Sequence, residues 1–304
     1  MDFGVFLPVS GAAATRSGLI HAADTAERLG FSTVWAADRI IIPWSIETSY
    51  AYSWSEKFIV PPDKPFLETM TALAFLAGAT ERIRLGIAVL VMTYRDPVHW
   101  AKVAATIDTL SDGRFILGVG IGWMREEFEA LGRGGLFEHR AAAGDEQLRV
   151  ARNLYSEEHC SFDGEFYSYD DIAFYPKPSL PIWVGGESRG AQRRAGVHGD
   201  AWFPYFPRIT PVELRRRFEH VRACALDAGR DPTQVALHCC LPVEVTDAEV
   251  PVEEDRLRGS PEQIAESLAG FQEVGVEHVA LQFLVGRFPE RLEQMERLMP
   301  VLNG

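Results

Sequence analysis

The sequence has few cysteines and few lysines. Four of its 304 residues are cysteine. They are Cys160, Cys224, Cys239 and Cys240. Two adjacent cysteines are poorly placed to bond to each other, and the four show no disulfide framework. We therefore expect reduced thiols and a cytoplasmic protein.

Positive charge and long apolar runs are also scarce. The formal net charge is −13, which disfavours adhesion to nucleic acid or to an anionic membrane surface. The apolar stretch 83–92 is interrupted by Arg84 and falls short of the roughly 20 residues that span a bilayer. No basic segment precedes the first apolar run, so no signal peptide is expected. Small molecules remain as partners.

Several catalytic and metal-binding patterns are missing. The eight histidines show no His-x-x-x-His spacing, and His238 beside Cys239 and Cys240 alternates faces on a strand, so we expect no metal site. There is no Gly-x-Ser-x-Gly, and Ser188 has no evident base, which disfavours a serine triad. The glycines of 118–122 lack the last glycine of a dinucleotide fingerprint.

Apolar runs alternate with segments of helical spacing along the chain. The predicted strands are 3–8, 34–37, 84–91, 115–119, 181–184, one from 201, 236–245 and 278–284. The predicted helices are 19–29, 66–79, 98–110, 123–131, 138–155, 188–197, 211–228, one from 260 and 289–302. This alternation, with no compositional break, predicts an α/β fold, a (β/α)₈ TIM barrel, as one domain over 1–304. A doubly wound sheet is the alternative. Turn residues within 162–174 predict a small hairpin inserted before the fifth strand.

A barrel of this kind binds its ligand in the loops at the carboxyl ends of the strands. The loop after the second strand, residues 38–65, is long and aromatic, which favours a lid or pocket wall. Its aromatic residues are Trp44, Tyr50, Tyr52, Trp54 and Phe58. The other interpretation is a surface insertion that buries them against the barrel or a second subunit.

The turn after the fifth strand indicates an anion site. Gly185 and Gly186 allow close approach of a ligand, and Ser188 can cap the following helix, whose amide groups then point at the turn. Arg189 could add a charge-assisted contact. The glycines could also serve only to connect strand to helix.

Other strand ends carry candidate groups. Asp38 and Arg39 could act on a bound heterocycle or pair with one another at the surface. The small apolar residues 88–90 suit the backing of a flat ring. Glu126, Glu127 and Glu129 are most simply a charged helix start and outer face, although Glu127 could reach the end of the fourth strand.

The chain resembles the superfamily of bacterial luciferase-like flavin monooxygenases and deazaflavin (coenzyme F420) oxidoreductases over nearly its full length. The matching segments are 98–132, including Ser-Asp-Gly-Arg-Phe-Ile-Leu-Gly-Val-Gly-Ile-Gly-Trp at 111–123, Pro-Ile-Trp-Val-Gly-Gly at 181–186, His-Gly-Asp-Ala-Trp-Phe-Pro at 198–204 and Gly-Ser-Pro-Glu-Gln-Ile-Ala at 259–265. Together these motifs are specific.

The resemblance implies a cofactor across the strand ends. Its phosphate is expected near Gly185, Gly186 and Ser188, beside Arg189. Its ring is expected over a bulge with an unusual cis peptide between Ala88 and Val89. Gly120 is expected to pass close to the cofactor.

The same resemblance bears on the chemistry. Asp38 matches an acidic position of the family, whereas Arg39 replaces a histidine that is catalytic in the sugar-phosphate dehydrogenase branch, and Trp123 replaces a glutamate of that branch. Glucose-6-phosphate oxidation is therefore not expected, and no clear acid or base remains. The substrate pocket is assigned to Trp44, Tyr50, Tyr52, Trp54 and Trp123, and a catalytic role to Asp38 and Arg39.

These residues lead to an expected function with two alternatives. The first expectation is an F420-dependent oxidoreductase that moves hydride to or from a small organic substrate. One alternative is an FMN-dependent monooxygenase supplied by a separate reductase. The other is a non-catalytic flavin-binding protein. A homodimer is expected in each case.

Overall fold

Eight parallel strands close into a barrel in the computed structural model, which describes residues 1–53, 55–205, 210–251 and 256–304. The barrel strands are β1 (Asp2–Phe6), β2 (Thr33–Ala36), β3 (Arg84–Val91), β4 (Phe115–Gly120), β7 (Ile182–Gly185), β8 (Ala201–Phe203), β9 (Ala236–Val245) and β11 (Val276–Phe283). Pairing of β8 with β9 and of β11 with β1 completes the circle. The predicted (β/α)₈ barrel is confirmed, and the doubly wound alternative is wrong.

Helices surround the barrel. They are α1 (Arg16–Leu29), α2 (Thr69–Ala77), α3 (Pro97–Leu110), α4 (Arg125–Ala130), α5 (Arg140–Ser156), α6 (Arg189–His198), α7 (Pro211–Asp227), α8 (Pro261–Glu273) and α9 (Phe288–Asn303). The caps follow the sequence, since Ser188, Thr210 and Ser260 each accept a backbone N–H at a helix start. None of the described helices has the length and apolar character needed to cross a membrane.

A hairpin and a short strand are added to the barrel. The hairpin of β5 (Cys160–Asp163) and β6 (Ser168–Ile172) lies before β7, as predicted. The buried carboxylate of Glu146 on α5 accepts three successive amides of its turn, at distances of 2.8 to 2.9 Å. The short strand β10 (Leu257–Gly259), which pairs with the end of β9, was not predicted because three residues carry too little periodicity.

An aromatic cluster fills the barrel interior. It contains Trp35, Trp183, Phe203, His238 and His278. The indole N–H of Trp35 donates to Nε2 of His278 at 3.1 Å. Glycines on both neighbouring strands make room for this indole, since a Cβ on Gly4 or Gly86 would lie 2.3 Å from it. A larger apolar layer packs between the strands and the helices, and together the two layers hold the strand ends in place.

Candidate active site

A cavity of about 670 Å³ opens at the carboxyl ends of the strands. Seven of the barrel strands, all except β9, contribute residues from their ends or following loops, and the aromatic loop (residues 38–65) forms part of the wall. This is the position at which barrels of this class carry their ligand sites. The cavity is therefore the candidate active site.

The turn between β7 and α6 lines the cavity with glycine. Gly186 has φ +97°, a conformation that L side chains rarely adopt, and its carbonyl accepts the indole N–H of Trp202 at 2.9 Å. The Ser188 hydroxyl accepts the N–H of Ala191 at 3.2 Å and so caps α6. A Cβ on Gly186 would occupy space 3.1 Å from Ala191 and 3.9 Å from the hydroxyl of Tyr52. The turn is thus an open cradle at a helix N-terminus.

Arginines other than the predicted one reach this part of the cavity. Arg189 is exposed and does not line it, because the first residue of α6 faces solvent. Arg194, on the opposite side of the same helix, is buried against the cavity and is held by Asp145 at 2.5 Å. Arg140 lines the cavity with its guanidinium 4.1 Å from the ring centre of Phe137, and its Nε is buried without a described partner.

The floor of the cavity lies where β3 meets β4 and β7. The Ala88–Val89 peptide is cis, and the pairing of β3 with β4 shifts register between Ile87 and Leu90. The Val89 side chain fits between two glycines, since a Cβ on Gly120 or Gly185 would lie 2.6 Å or 2.8 Å from it. The sequence resemblance implied this cis peptide, and the structure contains it.

Asp38 is buried beside this floor. Its carboxylate accepts hydrogen bonds from both terminal nitrogens of Arg95, at 2.7 and 2.8 Å, and from the N–H of Val91 at 2.9 Å. Burial by itself would lower the pKa of Arg95, but Asp38 and Glu68 reverse this and raise it. The bidentate pair therefore fixes the end of β3 next to the floor.

Arg39 has a different buried partner. Its Nη1 donates to Glu127 at 2.7 Å, and the other oxygen of Glu127 accepts the N–H groups of Ile40 at 2.9 Å and Ile41 at 3.3 Å. The alternative of a surface ion pair between Asp38 and Arg39 is wrong, because the two side chains are buried and have different partners, Arg95 for Asp38 and Glu127 for Arg39. Glu127 is fully buried, so its assignment to an outer helix face is also wrong.

Aromatic rings enclose the Arg39 guanidinium. Its central carbon lies 4.8 Å from the ring centre of Phe58 and 4.9 Å from that of Trp123. Tyr50 packs on Trp123 with ring centres 4.7 Å apart, and Tyr52 packs edge to face on Tyr205 at 5.6 Å. The aromatic loop thus packs over the cavity.

The tyrosine hydroxyls of this wall are kept neutral. Burial raises the pKa of Tyr50, Tyr52 and Tyr205 above the ordinary value. The hydroxyl of Tyr205 donates to the side-chain oxygen of Gln282 at the end of β11. The hydroxyls of Tyr50 and Tyr52 can therefore donate hydrogen bonds at neutral pH, whereas Asp38 and Arg39 are already engaged in ion pairs.

Two predicted pocket residues are not brought to the cavity. Trp44 is 83% exposed and does not line it, because Glu126 and Glu127 hold the flanking residues against α4 and leave this side chain outside. Trp54 lies outside the described residues. The structure places the remaining three, Tyr50, Tyr52 and Trp123, on the cavity wall.

Several cavity residues were missed from the sequence. They are Arg140, Arg194, Tyr205, Gln282 and Arg291. Arg95, which does not line the cavity but pairs with Asp38, was also missed. The sequence could have indicated Tyr205 and Gln282 as cavity residues, because each lies at or just after the carboxyl end of a strand. No spacing rule indicates the three arginines on helices. Within the described ranges, no three His, Cys, Asp or Glu side chains come together as a candidate metal site.

The fold and the cavity define a (β/α)₈-barrel protein with a cavity at the carboxyl ends of its strands. The family model described as luciferase-like monooxygenase matches residues 1–258. The chain therefore belongs to this luciferase-like family.

Two mycobacterial relatives share 32% of aligned residues with the chain. One is an uncharacterized protein of Mycobacterium tuberculosis, aligned over 69% of this chain and 72% of its own length. The other is a phthiodiolone/phenolphthiodiolone dimycocerosates ketoreductase of the same species, aligned over 68% of this chain and 55% of its own length. The chain therefore spans about half of the ketoreductase.

Two solved structures share the fold at low sequence identity. An F420-dependent secondary alcohol dehydrogenase in complex with an F420–acetone adduct has a TM-score of 0.79 and 18% identity, covering 99% of this chain and 98% of its own. The monooxygenase RslO1 of Streptomyces bottropensis also has a TM-score of 0.79 and 18% identity, covering 100% and 99%. At this identity the two show the fold alone.

Proposed function

We propose that this protein is an F420-dependent oxidoreductase that transfers hydride to or from a small organic substrate. The observation that carries the proposal is the single cavity that joins a glycine cradle at a helix start to a flat apolar floor. The similarity to a ketoreductase supports reduction of a carbonyl group over oxygenation. The bound deazaflavin would supply a two-electron carrier that reacts poorly with oxygen.

The residues of the cavity fit such a cofactor. Gly185, Gly186 and Ser188 would receive its phosphate, since a Cβ on Gly186 would fill the cradle. Arg140 and Arg194, rather than the exposed Arg189, lie on the same cavity and would contribute positive charge. This assignment accounts for the buried Nε of Arg140, which has no described partner.

The floor would back the flat ring. Ala88 and Val89 present small apolar surface, and Gly120 adds no side chain to obstruct close approach. Asp38, held by Arg95, accepts the N–H of Val91 and would position this floor. In this proposal Asp38 and Arg39 are positioning residues, because each has a buried ion-pair partner.

The aromatic wall would receive the substrate. Tyr50, Tyr52 and Trp123 would exclude water from the substrate that lies against the ring. A neutral tyrosine hydroxyl, such as that of Tyr52, could donate a hydrogen bond to a carbonyl oxygen and so stabilise negative charge that develops there. This arrangement needs no ionised base in the cavity.

Cofactor titration tests the proposal. Fluorescence titration of the full chain with F420 and, separately, with FMN should show saturable F420 binding, and reduced F420 should be consumed with ketone or aldehyde substrates. Binding of FMN alone, with oxygen-dependent product in the presence of a reductase, would support the two-component monooxygenase instead. Cofactor binding without turnover would favour the non-catalytic alternative, and failure to bind either cofactor would exclude all three.

A pair of glycine variants tests the location of the phosphate. Gly186→Val should weaken cofactor binding by more than about tenfold, because its side chain would fill the cradle. Gly229→Val is the matched control, since Gly229 also has a positive φ, +74°, but has no atom within 4 Å of an added Cβ. Both variants carry backbone strain, so only a specific loss in Gly186→Val supports the assignment. Unchanged affinity in a folded Gly186→Val protein would remove the phosphate from this turn.

A further inference from the structure

The cavity has an apolar end on the side of the barrel away from the glycine cradle. In the circular strand order, β11 and β1 lie opposite β4 and β7. The cavity wall at β11 and β1 is built mainly from apolar side chains of the strand ends, the aromatic loop and α9. They include Leu7, Val9, Phe66, Val285, Phe288 and Met295. This wall suits a hydrocarbon body.

Among the described residues, one cation interrupts this apolar wall. Arg291, on the first turns of α9, lines the cavity, and its Nε donates to the carbonyl of Val285 at 3.1 Å. Within the described part of the chain, no carboxylate pairs with its guanidinium. Burial lowers the pKa of Arg291. By contrast, Arg39 and Arg194 on the same cavity each contact a carboxylate.

A partly buried guanidinium without a counter-ion is a costly arrangement. The terminal nitrogens of Arg291 have no described acceptor, and a planar guanidinium fits a carboxylate through two parallel hydrogen bonds. An anionic ligand group would supply the missing acceptors, and the apolar walls around it would bury the remainder of the molecule.

We propose that Arg291 binds the carboxylate of an elongated apolar substrate, so that the preferred substrate is an organic acid that carries its reactive carbon away from its carboxyl group. This inference rests on the proposed function for the reaction, but the binding site itself can be measured without cofactor. The carboxylate would lie at the β11 and β1 side of the mouth, while the opposite end of the molecule extends towards the floor at Val89.

Calorimetric titration of the full chain with octanoate and with methyl octanoate tests the site. Octanoate should bind more tightly than its uncharged ester to the unsubstituted protein. Arg291→Gln should weaken octanoate binding by roughly 10- to 100-fold, the loss of a hydrogen-bonded charge, and leave the ester unchanged. Arg291→Lys should retain part of the preference, because it keeps the charge and loses the planar fork.

Arg287→Gln is the matched control. Arg287 stands one turn before Arg291, its side chain is 83% exposed and it contacts Glu290, so its loss should not alter either titration. Equal affinity for acid and ester in the unsubstituted protein, absence of octanoate binding, or unchanged octanoate affinity in folded Arg291→Gln would overturn the proposal.

Cofactor titration of the same variants separates this inference from the proposed function. Arg291→Gln should bind the cofactor normally, because the cradle lies across the barrel; a loss of cofactor affinity without loss of octanoate affinity would assign Arg291 to the cofactor and overturn the proposal. If the unsubstituted protein binds neither F420 nor FMN, the proposed function fails, while the octanoate preference of Arg291 still stands or falls on its own titration.

Discussion

Arg39 and Glu127 show how single residues determine the shape of this cavity. The two form a buried ion pair at 2.7 Å, with exposed side-chain fractions of 7% and 0%. Glu127 also accepts two backbone amides of the aromatic loop. A charge removed from such a pair leaves its partner uncompensated in a poorly solvated position. The pair therefore connects the loop to α4. In our proposal Arg39, which replaces a histidine of the family, has a structural role.

We predict that Glu127→Gln lowers the free energy of unfolding by about 3–5 kcal/mol, because Arg39 stays charged and loses its counter-ion. Urea denaturation monitored by circular dichroism measures this change. Glu213→Gln, which removes the carboxylate from two surface ion pairs within one helix, is the control and should change the free energy of unfolding far less than Glu127→Gln. Similar losses in the two variants would contradict the buried-pair interpretation.

At the scale of elements, α4 holds the aromatic loop in place. Besides Glu127, the carboxylate of Glu126 accepts the N–H of Glu47 at 2.7 Å and both the N–H and the hydroxyl of Thr48, at 3.0 and 2.8 Å. A six-residue helix thus fixes the start of a long loop through backbone amides, which any loop sequence supplies. Apart from the side chains of Arg39 and Thr48, the connection uses loop backbone, so the aromatic side chains of the loop remain available to line the cavity.

We predict that Glu126→Ala speeds amide hydrogen exchange at residues 47 and 48 by roughly 10- to 100-fold, because their charged acceptor is removed. Exchange followed by mass spectrometry of peptides that cover the loop measures this effect. Glu129→Ala, on an exposed position of the same helix, should leave exchange in the loop unchanged. Equal exchange in Glu126→Ala and the unsubstituted protein would show that the loop is held by other contacts.

At the scale of the whole molecule, the barrel interior contains two neutral histidines. Burial lowers the pKa of His238 from 6.5 to about 3, and burial together with His238 lowers that of His278 well below its ordinary value. Their ring centres are 5.9 Å apart, and Nδ1 of His238 has no described partner. In the unfolded chain both would titrate near the ordinary pKa, so acid favours unfolding.

The sign of the pH dependence follows from these lowered values. The stabilisation is fully present above about pH 6.5 and is lost as the pH falls towards the folded pKa of about 3. Between pH 7 and pH 5 the lowered pKa of His238 should reduce the free energy of unfolding by about 2 kcal/mol. His278 should act in the same direction. Urea unfolding at pH 7 and at pH 5 measures this decrease in the free energy of unfolding, which should be about 2 kcal/mol smaller in His238→Gln than in the unsubstituted protein. His159→Gln, at an exposed site, is the control and should show the same decrease as the unsubstituted protein. An identical pH dependence in His238→Gln would contradict the assignment.

Two expectations about the whole molecule stay predictions. One is that residues 1–304 form a single domain, and the other is that the protein is a homodimer. Light scattering coupled to size-exclusion chromatography measures the second directly.

The fold could be read from the residues because its signals are local. Buried strands and helical periodicity alternate along the chain, and the caps at Ser188, Thr210 and Ser260 depend on neighbours three residues away. The glycine cradle and the small residues 88 and 89 could also be recognised from the sequence, because positions at which the backbone is approached closely require glycine or another small residue.

The partners of the charged groups depended on contacts between distant parts of the chain. Asp38 and Arg39 are adjacent in sequence but pair with Arg95 and Glu127, and Arg189 and Arg194 lie on one helix but face solvent and cavity. Barrel closure places residues separated by tens of positions within hydrogen-bonding distance, and periodicity within one element carries no information about the residue opposite. The position of the cavity at the carboxyl ends of the strands was therefore accessible from the sequence. The pairing of its charges, and the cation at Arg291 left without a described counter-ion, emerge only from the folded chain.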